Sequence, residues 1–128
     1  MVRFLSLLFF LFWSITGAVA GTPAAVEKGR QLYLSYGCAL CHGWDARGDG
    51  INAQKFVPPP TDFYDLKTYH HGSDWDSMRR SIEYGIKEDS SIMPAFEHVP
   101  PKQVNQIITY LQSLQASASV RHEGQKKK

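Results

Sequence analysis

A chain of 128 residues in which 43% are hydrophobic is long enough for one small domain and too short for two. Lys and Arg number 14 against 12 Asp and Glu, a near balance that lacks the basic excess of a nucleic-acid binder. Both of the chain's two cysteines fall within one short stretch and serve a single site.

Met1 to Ala20 reads as a secretory signal peptide, with Arg3 as its lone basic residue, an apolar run from Phe4 to Trp13, and Ala18-Val19-Ala20 as a small-x-small cleavage site. The apolar stretch from Phe4 to Ala20 holds 17 residues, the lower limit of a membrane span, so an uncleaved anchor is the alternative. In either case the domain faces an oxidising space outside the cytoplasm. Cleavage leaves 108 residues, which divide into a domain over 21–116 and a basic, disordered tail over 117–128. From Gly21 to Val120 there are 9 basic and 11 acidic residues, a slightly acidic body whose tail carries Arg121, Lys126, Lys127 and Lys128.

The first helix is expected to start at Thr22, whose hydroxyl caps it, with Pro23 preset for the first helical position. Val26, Gly29, Leu32, Tyr33 and Tyr36 form its inward stripe, and Gly29 implies close approach by another helix. Gly37 ends this helix and turns the chain into Cys38-Ala39-Leu40-Cys41-His42.

A Cys-x-x-Cys-His stretch can hold a haem by two thioether bonds, with its histidine on one face of the iron. Two intervening residues let both sulfurs reach the two vinyl groups of one porphyrin, and the adjacent imidazole then points at the metal. Three other chemistries share the spacing. A structural disulfide would close a ring too short to remove much chain entropy. A thioredoxin-like dithiol needs a βαβ context that is missing. Zinc would need a second ligand pair, for which only His70 and His71 offer themselves.

Gly43, Gly48, Asp49 and Gly50 make a loop expected to wrap the haem edge, in which Arg47 is either a partner for a propionate or a solvated arginine. Pro58-Pro59-Pro60 reads as a stiff extended strap that lays Phe56, Val57, Phe63 and Tyr64 along the porphyrin, or else brings ordinary core aromatics. Ser73-Asp74-Trp75-Asp76 signals a second helix by an S-x-x-D capping arrangement. In that helix Trp75, Met78 and Ile82 share a face, Arg79 and Arg80 look outward, and Gly85 closes the end.

A polar loop then leads to Ile92-Met93-Pro94-Ala95-Phe96. Met93, in an apolar turn stiffened by proline, is the best candidate for the second axial ligand, a soft thioether that favours ferrous iron; His70, His71 and His98 are its rivals. The last helix is expected from Pro101 to Gln115, with Val104, Ile107, Ile108, Leu111 and Leu114 as its stripe, Tyr110 at the border, and a crossing against Gly29 and Tyr33.

Gly29-x-x-x-Tyr33, Cys38-Ala39-Leu40-Cys41-His42-Gly43, Gly48-x-Gly50, Met93-Pro94-Ala95-Phe96 and the closing Ile108-Thr109-Tyr110-Leu111 together resemble the class I, monohaem, mono-domain c-type cytochromes of bacteria over roughly residues 23 to 115. The resemblance implies an all-α cytochrome c fold of three main helices, with long loops, around one covalent haem c. It implies thioethers at Cys38 and Cys41, His42 and Met93 as axial ligands, and a backbone carbonyl that accepts the Nδ1 hydrogen of His42. Relatives with this Gly-Asp-Gly turn commonly place proline directly after it; here Ile51 stands there, so the acceptor is expected at Ile51 or at Pro58.

The expected function is electron transfer in the periplasm between a donor and an acceptor protein, by a protein that is not itself an enzyme. Lys126, Lys127 and Lys128 offer a contact to an anionic membrane or an acidic partner. Two alternatives are a haem-based sensor with a labile Met93 side, told apart by carbon monoxide binding, and a dedicated electron-acceptor subunit of a dehydrogenase or oxidoreductase complex.

Overall fold

The computed structural model describes residues 21–88 and 91–126. The expected export signal and the last two lysines of the tail lie outside the described residues. Four helices and one hairpin follow in the order α1 (Pro23–Ser35), α2 (Ala39–His42), α3 (Trp75–Tyr84), β1 (Ile86–Glu88), β2 (Ser91–Met93) and α4 (Pro101–Lys126), with single 3-10 turns at Ala53–Lys55 and Leu66–Thr68.

α1 begins as its sequence requires. Thr22 Oγ1 accepts the Ala25 amide at 3.3 Å, and Pro23 occupies the first turn, where a missing N–H costs nothing. Gly29, Leu32 and Tyr33 are its buried positions. They meet α4, whose Val104, Ile107, Ile108, Tyr110, Leu111 and Leu114 repeat at helical spacing and are all buried. Tyr110 is thus core rather than border, its ring 5.5 Å from that of Tyr33 in an edge contact. The helices cross at Gly29, where a methyl group would overlap the Gln106 carbonyl oxygen and come within 2.8 Å of Tyr110 Cβ.

α4 does not stop at Gln115, and the segment from 117 that was expected to be disordered continues as helix to Lys126. No glycine or proline interrupts the chain between Pro101 and Gly124, and Ala118 is buried. Ser117 and Ser119 turn their hydroxyls back onto the Ser113 and Gln115 carbonyls, so these small polar residues stay within the helix.

The cap of α3 is Asp74 rather than Ser73. Asp74 has extended backbone, and its carboxylate accepts the Ser77 amide at 3.0 Å, which shifts the capping arrangement by one residue. Hydrogen bonds from Ser77 hold this carboxyl below the usual carboxylate range. A depressed value in the folded state stabilises the fold above the unfolded value of about 3.9, and that contribution is lost as pH falls through the folded value. Asp74→Asn keeps an acceptor and removes the charge. Thermal melts of parent and variant are therefore expected to differ at neutral pH and to converge as the medium is acidified below about pH 4.

The stretch after Gly85, expected as an open loop, is a short antiparallel hairpin in which Ile86 pairs with Met93. Gly85 closes α3 with φ 73°, and a Cβ there would stand 2.5 Å from the Met93 carbonyl oxygen and 2.8 Å from the Ala95 amide. The residue that ends α3 therefore also seats the backbone on which Met93 is carried.

Candidate functional site

Cys38, Cys41 and His42 share one helical turn. The Cys38 amide caps α1 by donating to the Tyr33 carbonyl at 3.1 Å, and the His42 amide closes the turn onto the Cys38 carbonyl at 2.9 Å. Positions three and four apart on a helix lie on the same side, so both sulfurs and the imidazole are presented together. The glycine-rich loop then folds back over this turn: the Gly48 amide donates to the His42 carbonyl at 2.8 Å, Gly50 to Cys41 at 3.1 Å and Asn52 to Leu40 at 2.8 Å. These bonds satisfy carbonyls that so short a helix leaves without partners.

The imidazole of His42 is held from behind. Its Nδ1–H donates to the Thr61 carbonyl at 3.2 Å, and the Phe63 ring packs 4.8 Å from it. The acceptor is thus neither Ile51 nor Pro58. Ile51 is 83% exposed at the surface, and the proline strap carries the chain past Pro58 to Thr61. The Phe63 amide, bonded to the Ala46 carbonyl at 2.9 Å, pins the strap two residues beyond Thr61. With Nδ1 occupied by a donor bond, Nε2 is the nitrogen left for a metal. Burial pulls this imidazole below its ordinary range, against the opposing effect of the Thr61 bond, so it stands neutral and ready to ligate.

Tyr33 is a positioning residue that the sequence did not disclose as one. Its buried hydroxyl donates to the Gly43 carbonyl at 2.7 Å and anchors the residue after His42 to α1. Gly43 also accepts the Ala46 amide at 3.1 Å, so Tyr33→Phe leaves that carbonyl with one partner. The expected cost is about 1 kcal/mol, measured by denaturant unfolding, and not the larger penalty of an orphaned buried group.

Cys38, Cys41, His42 and Met93 all line a single cavity of about 560 Å³, the size range of a small-molecule or cofactor site. Phe56, Val57 and Phe63 from the strap also line it, as does Met78 of α3, which is buried in the core. Tyr64 does not; it lies under the Arg47 guanidinium, 4.1 Å from the ring centre. Arg47 also faces Asp62 at 3.8 Å and is not part of the cavity wall, so the structure does not bring it to where a propionate contact was expected. Among the rival histidines, His70 and His71 reach the wall, whereas His98 packs beside Tyr36 and Phe96.

Both thiols are free, and burial pushes that of Cys38 up to about 11. That is the reverse of the depressed value a redox-active dithiol needs. Among the described residues no three of His, Cys, Asp and Glu gather to hold a bare metal ion. Two unpaired thiols on one turn, an adjacent oriented imidazole and a thioether from another element line one apolar cavity, and side chains of these types could hold a covalent haem.

The Cytochrome c family model matches residues 26–115. The chain is 31% identical over 94 residues to the cbb3-type cytochrome c oxidase subunit CcoP of Helicobacter pylori, and 32% identical over 94 residues to that of Helicobacter pylori strain 52. Each match covers 72% of this chain and 29% of the relative, so the chain spans less than a third of the length of the curated relatives it matches. By its helices, its cavity with two free cysteines and its matched residues, the chain belongs to the cytochrome c family, whose haem c is covalently attached.

Proposed function

We propose that this protein carries single electrons between redox proteins in the periplasm, on one haem c bound through Cys38 and Cys41 with His42 and Met93 as axial ligands. The observation that carries this reading is the convergence of all four residues, from α2 and from the end of β2, on one apolar cavity. The bound haem supplies a one-electron couple at iron. His42 is fixed in orientation by the Thr61 carbonyl, and Met93 is fixed by the hairpin and by Gly85. Held by the His42 imidazole and the Met93 thioether, such a haem would leave no place for a substrate, and a neutral thioether in apolar surroundings would raise its reduction potential.

The relatives' name, an oxidase subunit, supports a terminal oxidase or another respiratory complex as the partner. The apolar leader from Phe4 supports export, by cleavage after Ala20 or by retention as an anchor. Among the described residues no helix is long and apolar enough to cross a membrane. Lys126, Lys127 and Lys128 remain a contact for an anionic membrane or acidic partner.

The test uses the reduced haem-bearing protein mixed in air with membranes that contain a cbb3-type oxidase. Rapid reoxidation, sensitive to oxidase inhibition and without a carbon monoxide adduct on the protein itself at neutral pH, is the expected result. A protein that stays reduced and takes up one equivalent of carbon monoxide is a ligand sensor and not a carrier.

A further inference from the structure

Thr61 holds His42 by one bond with little to spare. Its carbonyl accepts the Nδ1 hydrogen at 3.2 Å, the long end of the range for such bonds, so a small movement of the strap is enough to weaken it. Up to Phe63 the strap is seated on backbone: a Cβ at Gly48 would overlap the Pro60 carbonyl oxygen, and the Phe63 amide is bonded to the Ala46 carbonyl at 2.9 Å. Its next residue is held by side chains.

The Tyr64 amide donates to Asp62 Oδ1 at 2.9 Å, and Asp62 Oδ2 faces Arg47 Nη1 at 3.8 Å. Two guanidinium groups stand over the Tyr64 ring, Arg47 at 4.1 Å from its centre and Arg121 at 5.3 Å, both within the reach of about 6 Å at which a ring face attracts a cation. Arg121 belongs to the part of α4 beyond residue 115, where the family match ends. Two observations place its side chain. Ala118, one turn earlier on the same side of the helix, is buried, and Arg121 Nε donates to the Ser117 carbonyl at 3.4 Å. Neither Tyr64 nor Arg121 lines the cavity, so any effect of theirs on its contents travels through the strap.

We propose that the extension of α4 beyond residue 115 is a positioning element for His42: Arg121, stacked on Tyr64 together with Arg47, fixes the strap so that the Thr61 carbonyl stays on His42 Nδ1. The proposal rests on the electron-carrier reading and deepens it. A firm bond at Nδ1 makes the imidazole a more basic ligand and favours ferric iron, whereas a slack bond favours ferrous iron. The helix end thereby sets part of the carrier's potential through residues that touch neither the iron ligands nor the cavity.

The experiment compares the full-length, haem-bearing parent with Arg121→Gln and Tyr64→Leu, by midpoint potential and by solvent exchange of the His42 Nδ1 hydrogen in the reduced, diamagnetic protein. Losing an outer partner of a metal-bound histidine outright typically costs roughly 10- to 100-fold at the metal. Here the partner is loosened and not removed, so a shift of roughly three- to tenfold toward ferrous iron is expected, about 30 to 60 mV upward, together with faster exchange. The two variants combined should shift little further than either alone, because they break one contact. Tyr64→Phe keeps a ring face and should restore the parent's values. Thr22→Ala, which removes the cap of α1 far from the strap, should lower stability and leave potential and exchange at the parent's values. Parent-like potential and exchange in both Arg121→Gln and Tyr64→Leu, or an equal shift in Thr22→Ala, overturns the proposal and leaves the carrier reading intact. A parent without a reducible haem overturns both.

Discussion

Met93→Ala is expected to open one face of the iron: the weak sulfur-to-iron band of the oxidised protein disappears, and the reduced protein binds one equivalent of carbon monoxide where the parent binds none. The reduction potential should fall by on the order of 0.1 to 0.3 V, within the roughly 0.8 V that axial ligand choice spans. The size follows from what is removed, since a soft neutral thioether favours the ferrous ion and alanine offers no replacement. Met78 is the internal control. It lines the same cavity but sits in α3 at 4% exposure within the core. Met78→Leu, nearly conserved in volume, should cost less than about 1.5 kcal/mol of stability and leave the spectrum unchanged. A band that survives in Met93→Ala and vanishes in Met78→Leu would exchange the two assignments.

Gly29→Ala is expected to destabilise the protein although the residue lies inside a helix. Two effects oppose each other. In an open helix alanine is favoured over glycine by about 1 kcal/mol, so propensity alone predicts a more stable protein. At Gly29, however, the new Cβ overlaps the Gln106 carbonyl oxygen and crowds Tyr110 Cβ at 2.8 Å. One obstacle is the backbone of α4 and cannot rotate aside, so α1 and α4 must separate. Overpacking typically costs about 1–3 kcal/mol, and here it also pulls Tyr33 from its edge contact with Tyr110. A net loss of about 2 kcal/mol or more by denaturant unfolding is expected; a gain would mean that the helices do not touch at this residue.

The two features behind these predictions were legible in the sequence to different depths. Cys38, Cys41 and His42 are legible because the chemistry fixes residue types at fixed spacing, and one helical turn meets that spacing without help from the rest of the fold. Thr22, Gly29 and Gly85 are legible for a related reason: capping, close approach and helix ending each select a residue type locally. The partner of His42 was not, because every residue has a carbonyl and only the packing of the strap against Ala46 decides that Thr61 supplies it. Tyr33 reads as a core aromatic, and nothing in its spacing says that its hydroxyl reaches Gly43.

The hairpin of Ile86–Glu88 and Ser91–Met93 is not legible in the sequence, because strands of three residues are too short to show an alternating pattern. Ser73 and Asp74 can both cap, and the choice between them is made by the Ser77 amide. The end of α4 is obscured in the sequence because its small and polar residues resemble a tail, and only the burial of Ala118 against the fold distinguishes them. The site is therefore most legible where covalent chemistry imposes order, and least where a backbone atom or a tertiary contact does the positioning.

Intact mass of the exported protein under denaturing conditions, taken beside its reduced visible spectrum, is the most direct check on a haem stitched to Cys38 and Cys41. A mass equal to the polypeptide plus one haem that acid solvent does not extract, with the sharp absorption bands of a low-spin ferrous haem, is the expected result. A folded, soluble protein with the mass of its bare polypeptide would contradict it.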